Sequence, residues 1–194
     1  MRRIALGLAL GMFLGAASAA AQAQREPRLE IAAGYSFLRT RTVAPTGFNL
    51  NGGSLSVAAN VNSWLGFVGD FAGYHTRNVP PSGFSLTISS YMFGPRISYR
   101  GRERVTIFAQ ELVGVGHAGG TLYTVGFAPG AAAPAPVNAF AMALGGGLDV
   151  NLSRSWAIRA FQTEWFQTTF PNGQGNRQHS FRFTTGISWR IGGR

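Results

Sequence analysis

From residue 28 onward, apolar side chains recur at every second position, segment after segment. A period of two is the signature of a strand with unlike faces. In 28–39, Leu29, Ile31, Ala33, Tyr35 and Phe37 share one face, and Glu30, Ala32, Gly34 and Ser36 the other. In 53–62, Leu55, Val57, Ala59 and Val61 oppose Ser54, Ser56, Ala58 and Asn60. In 64–75, Leu65, Phe67, Gly69 and Phe71 oppose Gly66, Val68, Asp70 and Ala72. In 85–100, Tyr91, Phe93, Pro95, Ile97 and Tyr99 oppose Ser90, Met92, Gly94, Arg96 and Ser98. In 105–117, Phe108, Leu112 and Gly114 are set against Ala109, Glu111 and Val113. In 138–150, Phe140, Met142, Leu144 and Leu148 oppose Ala139, Ala141, Ala143, Gly145 and Asp149. The stretch 156–168 is less regular, because Arg159 and Glu164 have opposite parity. The reading puts Arg159 inside near one end and Glu164 at the outer rim, with a β-bulge between them as the alternative. In 179–191, Phe181, Phe183, Ile187, Trp189 and Ile191 oppose Ser180, Arg182, Thr184, Gly186, Ser188 and Arg190.

Eight strands near the length that a tilted membrane strand needs predict an all-β fold: an eight-stranded antiparallel up-and-down transmembrane barrel. The polar face is rich in Gly, Ala and Ser, which suits a narrow lumen. The aromatic face then meets lipid. A soluble barrel with the apolar face turned inward is the inverted alternative. Connections alternate in length. Asn62–Ser63, Gly101–Arg104 and Asn151–Ser155 are short, whereas 40–53, 76–84, 118–137 and 169–178 are long. Short turns on the periplasmic side and long loops outside would place both termini in the periplasm. Trp64, Tyr99, Trp156 and Trp189 then fall at one level, as an interfacial aromatic girdle.

Composition sharpens this picture. Charged residues are 12% of the 194, about half the usual share of roughly 25%. A lipid-facing band explains where so little charge can go. There is no Cys, which excludes disulfides and thiol chemistry. Arg2 and Arg3, an apolar run from Ile4 to Gly15, and Ala21-Gln22-Ala23 form a secretory signal peptide over 1–23, leaving 24–194 as the barrel domain. The formal charge is +10, all of the basic residues being Arg. Export and the scatter of the Arg residues argue against nucleic acid as a partner.

The inward parity gathers Glu30, Asp70, Arg96, Glu111, Asp149, Arg159, Arg182 and Arg190 into a lumen charge network. Antiparallel pairing sets Arg96 diagonally from Glu111, Asp149 across from Arg159, and Glu30 beside Arg190 at the closing seam. Arg suits such sites because its planar fork satisfies carboxylates two bonds at a time. A plug of salt bridges is the expectation; a gated path for water or ions is the alternative. Arg39, Arg41, Arg77 and Arg177 lie at the extracellular rim, where guanidinium groups could contact lipopolysaccharide phosphates. His75, His117 and His179 sit near strand tops without metal-ligand spacing, so neither a cofactor nor a metal is expected. A triad of His117 and His179 with Ser180 or Glu164 on the outer rim is the catalytic arrangement to consider, and no enzyme is expected.

Phe93-Gly94-Pro95-Arg96, Phe108-Ala109-Gln110-Glu111-Leu112-Val113-Gly114, Trp156-Ala157-Ile158-Arg159 and Phe181-Arg182-Phe183-Thr184-Thr185-Gly186-Ile187 complete the pattern. With these stretches the chain resembles the small eight-stranded outer-membrane β-barrels, OmpA/OmpX-like, over about residues 28–191. The resemblance implies residence in the cell outer membrane, contact with outer-membrane lipid and the assembly machinery, and no catalytic residues. Family barrels tend to end in an aromatic residue that the assembly machinery recognises, whereas Trp189 and Ile191 here precede Gly192-Gly193-Arg194. A structural or surface-interaction role through the loops, with an unknown extracellular ligand, is the leading expectation. A narrow porin-like channel, a lipid-modifying barrel enzyme and a soluble periplasmic ligand-binding barrel are the alternatives.

Overall fold

The computed structural model describes residues 27–40, 47–79, 84–102, 104–120, 137–171 and 176–192. The signal peptide expected over 1–23, Arg41 and most of the loop 118–137 lie outside them. The described residues form a closed barrel of β1 (Leu29–Thr40), β2 (Phe48–Asn60), β3 (Leu65–Val79), β4 (Phe84–Arg102), β5 (Val105–Gly119), β6 (Val137–Asn151), β7 (Trp156–Thr168) and β8 (Gln178–Ile191). Every neighbouring pair is antiparallel, including β1 with β8. Closure leaves no exposed edge, so the backbone polar groups of the wall are paired within it, as a bilayer requires.

The strands tilt. Stepping from strand to strand through paired neighbours, one passes Arg28, Asn60, Gly66, Arg96, Gln110, Gly145, Glu164, Arg182 and Leu38. The circuit starts at residue 28 and returns to the same chain segment at residue 38, so the shear is ten. The paired row therefore climbs from β1 round to β8, with strands inclined by roughly 35–45°.

A narrow tilted barrel presses neighbouring backbones together. At Gly94 a Cβ would stand 1.9 Å from the carbonyl oxygen of Glu111. The neighbour cannot yield without breaking the ladder. Gly94→Ala is expected to lower stability by about 1–3 kcal/mol, measured by urea unfolding of the refolded protein. Gly73→Ala, where a Cβ would meet nothing within 4 Å, is the control and is expected to be near neutral.

Two turns are built by side chains. Asn62 Oδ1 accepts from the backbone N–H groups of Trp64 and Leu65 at 3.0 and 2.7 Å. Ser153 Oγ accepts from those of Ser155 and Trp156 at 3.3 and 3.1 Å. Such local bonds favour tight turns. They set Trp64 and Trp156 at one end of the barrel, where Trp156 stacks on Trp189 with ring centroids 6.2 Å apart. Tyr99 is exposed beside the turn after β4.

At the other end, the strands outrun the expected loops. β2 begins at Phe48, within the stretch 40–53 read as a loop, and β3 and β4 fill most of 76–84. The reason is an inversion of polarity. Between the two aromatic levels, Phe67, Phe93 and Ile97 point outward and Ser56, Asp70 and Arg96 inward. Beyond Tyr35, Tyr91 and Trp165 the pleat continues but the chemistry reverses. Leu38, Leu50, Leu86, Ile88 and Phe166 are buried inside, and Phe170, just past β7, joins the same core. Arg39, Asn49, Asn51, His75, Arg77 and His179 are exposed outside. Cross-strand bonds run over this outer surface: Arg39 Nη1 to Asn49 Oδ1 at 2.9 Å, Tyr35 Oη to Asn51 Oδ1 at 2.5 Å, and His75 Nδ1 with Thr87 Oγ1 at 2.9 Å. The barrel thus carries a collar with a mainly apolar core, in which Thr40, Thr168 and Gln178 are also buried, and a polar exterior, continuous with the apolar-faced belt below.

Candidate functional site

Below the collar core, inward side chains form a polar network within the lumen. The climbing row supplies its spine, because Arg96, Gln110, Glu164 and Arg182 are successive inward residues on paired strands, and Gly145 leaves the space that Glu164 occupies. Arg182 is the hub. Its Nε donates to Glu164 at 2.5 Å and its Nη1 to Asp70 at 2.6 Å, and all three side chains are buried. Glu164 also accepts from Gln110 and Gln162, each at 2.8 Å. Arg159 donates to Asp149 through Nε at 3.0 Å and Nη2 at 3.3 Å, and to Gln162 at 2.8 Å. At the closing seam, Arg190 Nε lies 3.4 Å from Glu30, which also accepts from Arg100 Nη2 at 2.5 Å and from Asn60 at 2.7 Å. Arg190 further bonds Asn151.

Four sequence expectations are corrected. Glu111 faces outward, not into the lumen; Gln110 takes the inward place on β5 and accepts from Arg96 Nε and Nη2 at 2.9 and 2.8 Å. The amide is the better lumen residue at that point, since it accepts from Arg96 and donates to Glu164 at once. Arg96 therefore has no carboxylate partner of the kind expected on β5. Instead its guanidinium lies 4.4 Å from the ring centre of Phe108, an inward residue read as outward, with Arg159 4.7 Å from the same ring. One aromatic ring thus serves two cations through its faces. Glu164 is buried, not at the rim. Ala160 and Phe161 both point outward, and the β7–β8 register shifts between Arg159 and Gln162. That β-bulge restores the parity of Glu164, and Thr185 Oγ1 bonds the carbonyl of Arg159 beside it at 2.9 Å.

Gln110, Gln162, Phe108 and Arg100 are network members the sequence reading did not name. Arg100 had a signal, for it shares the parity of Arg96 and Ser98. The others carry none without the register. At the rim, Arg39, Arg77 and Arg177 are exposed. His117 bonds Asn138 at 2.7 Å, and His179 stacks on Trp165 with centroids 5.4 Å apart. The imagined triad is split by the wall: His179 is outside, Ser180 and Glu164 inside. Among the described residues, no three His, Asp or Glu side chains cluster as metal ligands.

An all-antiparallel closed barrel of eight strands with an outward aromatic band is the small outer-membrane β-barrel fold. Solved structures share it. Neisserial surface protein A (NspA) aligns with a TM-score of 0.68 at 11% identity, over 84% of this chain and 97% of its own. Ail, the attachment invasion locus protein of Yersinia pestis, aligns at 0.58 and 20%, over 86% and 99%. OprG from Pseudomonas aeruginosa aligns at 0.54 and 9%, over 87% and 97%. No protein-family model and no curated protein matches the chain.

Proposed function

We propose that the protein is a closed outer-membrane barrel that acts through its extracellular collar, with both termini in the periplasm. The observation that carries this reading is the polarity inversion. A strand segment with an apolar inner core and an Arg-, His- and Asn-bearing outer surface is made for water, and here it rises beyond the upper aromatic level on a membrane belt. The tight turns at the Trp64 and Trp156 end suit the periplasmic side. The collar surface just above the belt lies where lipopolysaccharide carries its phosphates, and Arg39, Arg77 and Arg177 offer forked donors for them. Exchanging all three for Ala is expected to remove at least half of the rise in Tm that added lipopolysaccharide produces. An equal rise in the variant would overturn the contact.

In the same reading the lumen is a plug. The ionic network fills the lower half, and Leu38, Leu50, Leu112 and Phe166 fill the upper, where no hydrated ion has a partner. The unmodified protein in planar bilayers is expected to give no steady conductance. A large, sustained open-state current would replace the plug with the porin-like reading.

A further inference from the structure

The lipid-facing band carries one carboxylate among the described residues, Glu111, and it sits at mid-height. Along β5 it lies four residues from Ile107, which pairs with Tyr99 of the lower aromatic level, and four from Val115, which pairs with Tyr91 of the upper one. Each interval is about 13 Å of strand. An acidic side chain facing hydrocarbon at that depth is unfavourable, and an intramembrane ionisable group is a sign of a partner.

The band also carries two threonines in the β7–β8 region. Thr185 commits its hydroxyl to the carbonyl of Arg159 at 2.9 Å. Thr163 is the second. Glu111 pairs with Leu144 and Leu144 with Trp165, whereas Ala109 pairs with Gly146 and Gly146 with Thr163. Because the paired row climbs from β5 to β7, Trp165 stands above Glu111. Stepping two residues down β7 to Thr163 returns to the height of Glu111. The acceptor and the donor are thus close to level on one outer face, two strand spacings apart across the sheet and two residues apart along it, about 11.5 Å in all. Gly146 lies between them on β6. Ala109 and Pro95 are the small neighbours on β5 and β4.

We infer that this face of β5–β7 is the contact between two copies of the chain, related by a two-fold axis along the membrane normal that passes beside Gly146. Such an axis places Glu111 of each copy against Thr163 of the other, the reciprocal pairing an isologous interface requires. The complementarity is internal to the chain: a carboxylate acceptor, a hydroxyl donor, equal height, and a glycine where the two walls must approach most closely. An ion pair within the band is not available as an alternative between copies, since no guanidinium faces lipid there among the described residues.

The chain has no Cys, so single reporters are clean. Leu144, outward and close to the axis, is replaced as Leu144→Cys, and Leu55 on the distant β2 as Leu55→Cys. Full-length protein in phospholipid vesicles is then oxidised and run without reductant, with heat-modifiable mobility checking the fold. Leu144→Cys is expected to give a disulfide dimer at least ten times more efficiently than Leu55→Cys. Adding Glu111→Leu or Thr163→Val is expected to cut that yield at least tenfold with folding intact, while Glu111→Gln, still an acceptor, keeps it. Equal yields from the two reporters, undiminished yield with Glu111→Leu, or loss with Glu111→Gln, which would mark a cationic partner, each overturn the proposal.

Discussion

Arg182→Met is expected to cost about 3–5 kcal/mol of folding free energy, the range for leaving buried charges unpaired. The hub holds Glu164 and Asp70 at 2.5 and 2.6 Å with none of the three exposed. Removing the cation strands two carboxylates, and among the described residues the neighbouring lumen guanidinium groups are already engaged, Arg159 by Asp149 and Gln162 and Arg96 by Gln110. An exposed pair would cost at most about 1 kcal/mol. Urea unfolding in vesicles, followed by Trp fluorescence, separates the two. A further comparison isolates the cause. Adding Glu164→Gln and Asp70→Asn to Arg182→Met removes the stranded charge, and most of the loss is expected to return. If the triple variant is as unstable as the single one, the loss came from packing and not from charge.

Phe166→Ala is expected to cost a similar amount, about 3–5 kcal/mol, because it opens a hole in the collar core. Phe166 is buried in the core cluster that also holds Leu112 and Phe170. The matched control is Phe93→Ala, a residue of the same type that is 67% exposed on the band. In lipid the lost ring is replaced by acyl chains and leaves no cavity, so that change is expected to cost only the transfer of the ring out of water, about 1.5–3 kcal/mol. A cost for Phe166→Ala no greater than for Phe93→Ala would mean that the collar is not packed as a core.

The alternation made the barrel legible, and it did so best where every inward residue is small or charged and every outward one large. β8 comes nearest to such a strand, from Ser180 inside and Phe181 outside to Arg190 and Ile191, with Thr185 its one small outward residue. Parity also sufficed where a short turn fixes which residues face each other: Asp149 and Arg159 flank the turn after β6 and lie 3.0 Å apart. It failed on β5, where Phe108, Gln110 and Leu112 share one face and Ala109, Glu111 and Val113 the other. Neither face is plainly polar, and the rule that charge belongs in the lumen chose the wrong one. It failed on β7 for a different reason. A bulge adds one residue to the count, and no pattern of two can locate it. The collar was hidden because the period persisted while its meaning reversed. Leu38, Leu50, Leu86 and Ile88 keep the inward phase of Ser36, Gly52 and Ser90, but polar-in and apolar-in strands are read with opposite rules.

The same reversal makes one barrel answer to two solvents. Burial of Leu38, Leu50 and Phe166 in the collar removes apolar surface from water, and such burial carries a heat-capacity change and weakens on cooling. While the collar opens and closes the belt stays in lipid, so its outer side chains add nothing to that change, and its ladder bonds and lumen ion pairs remain in place. Cooling is therefore expected to favour local opening of the water-facing ends of the strands before the lipid-facing band, with the level of Tyr35, Tyr91 and Trp165 as a thermal boundary drawn across a continuous sheet.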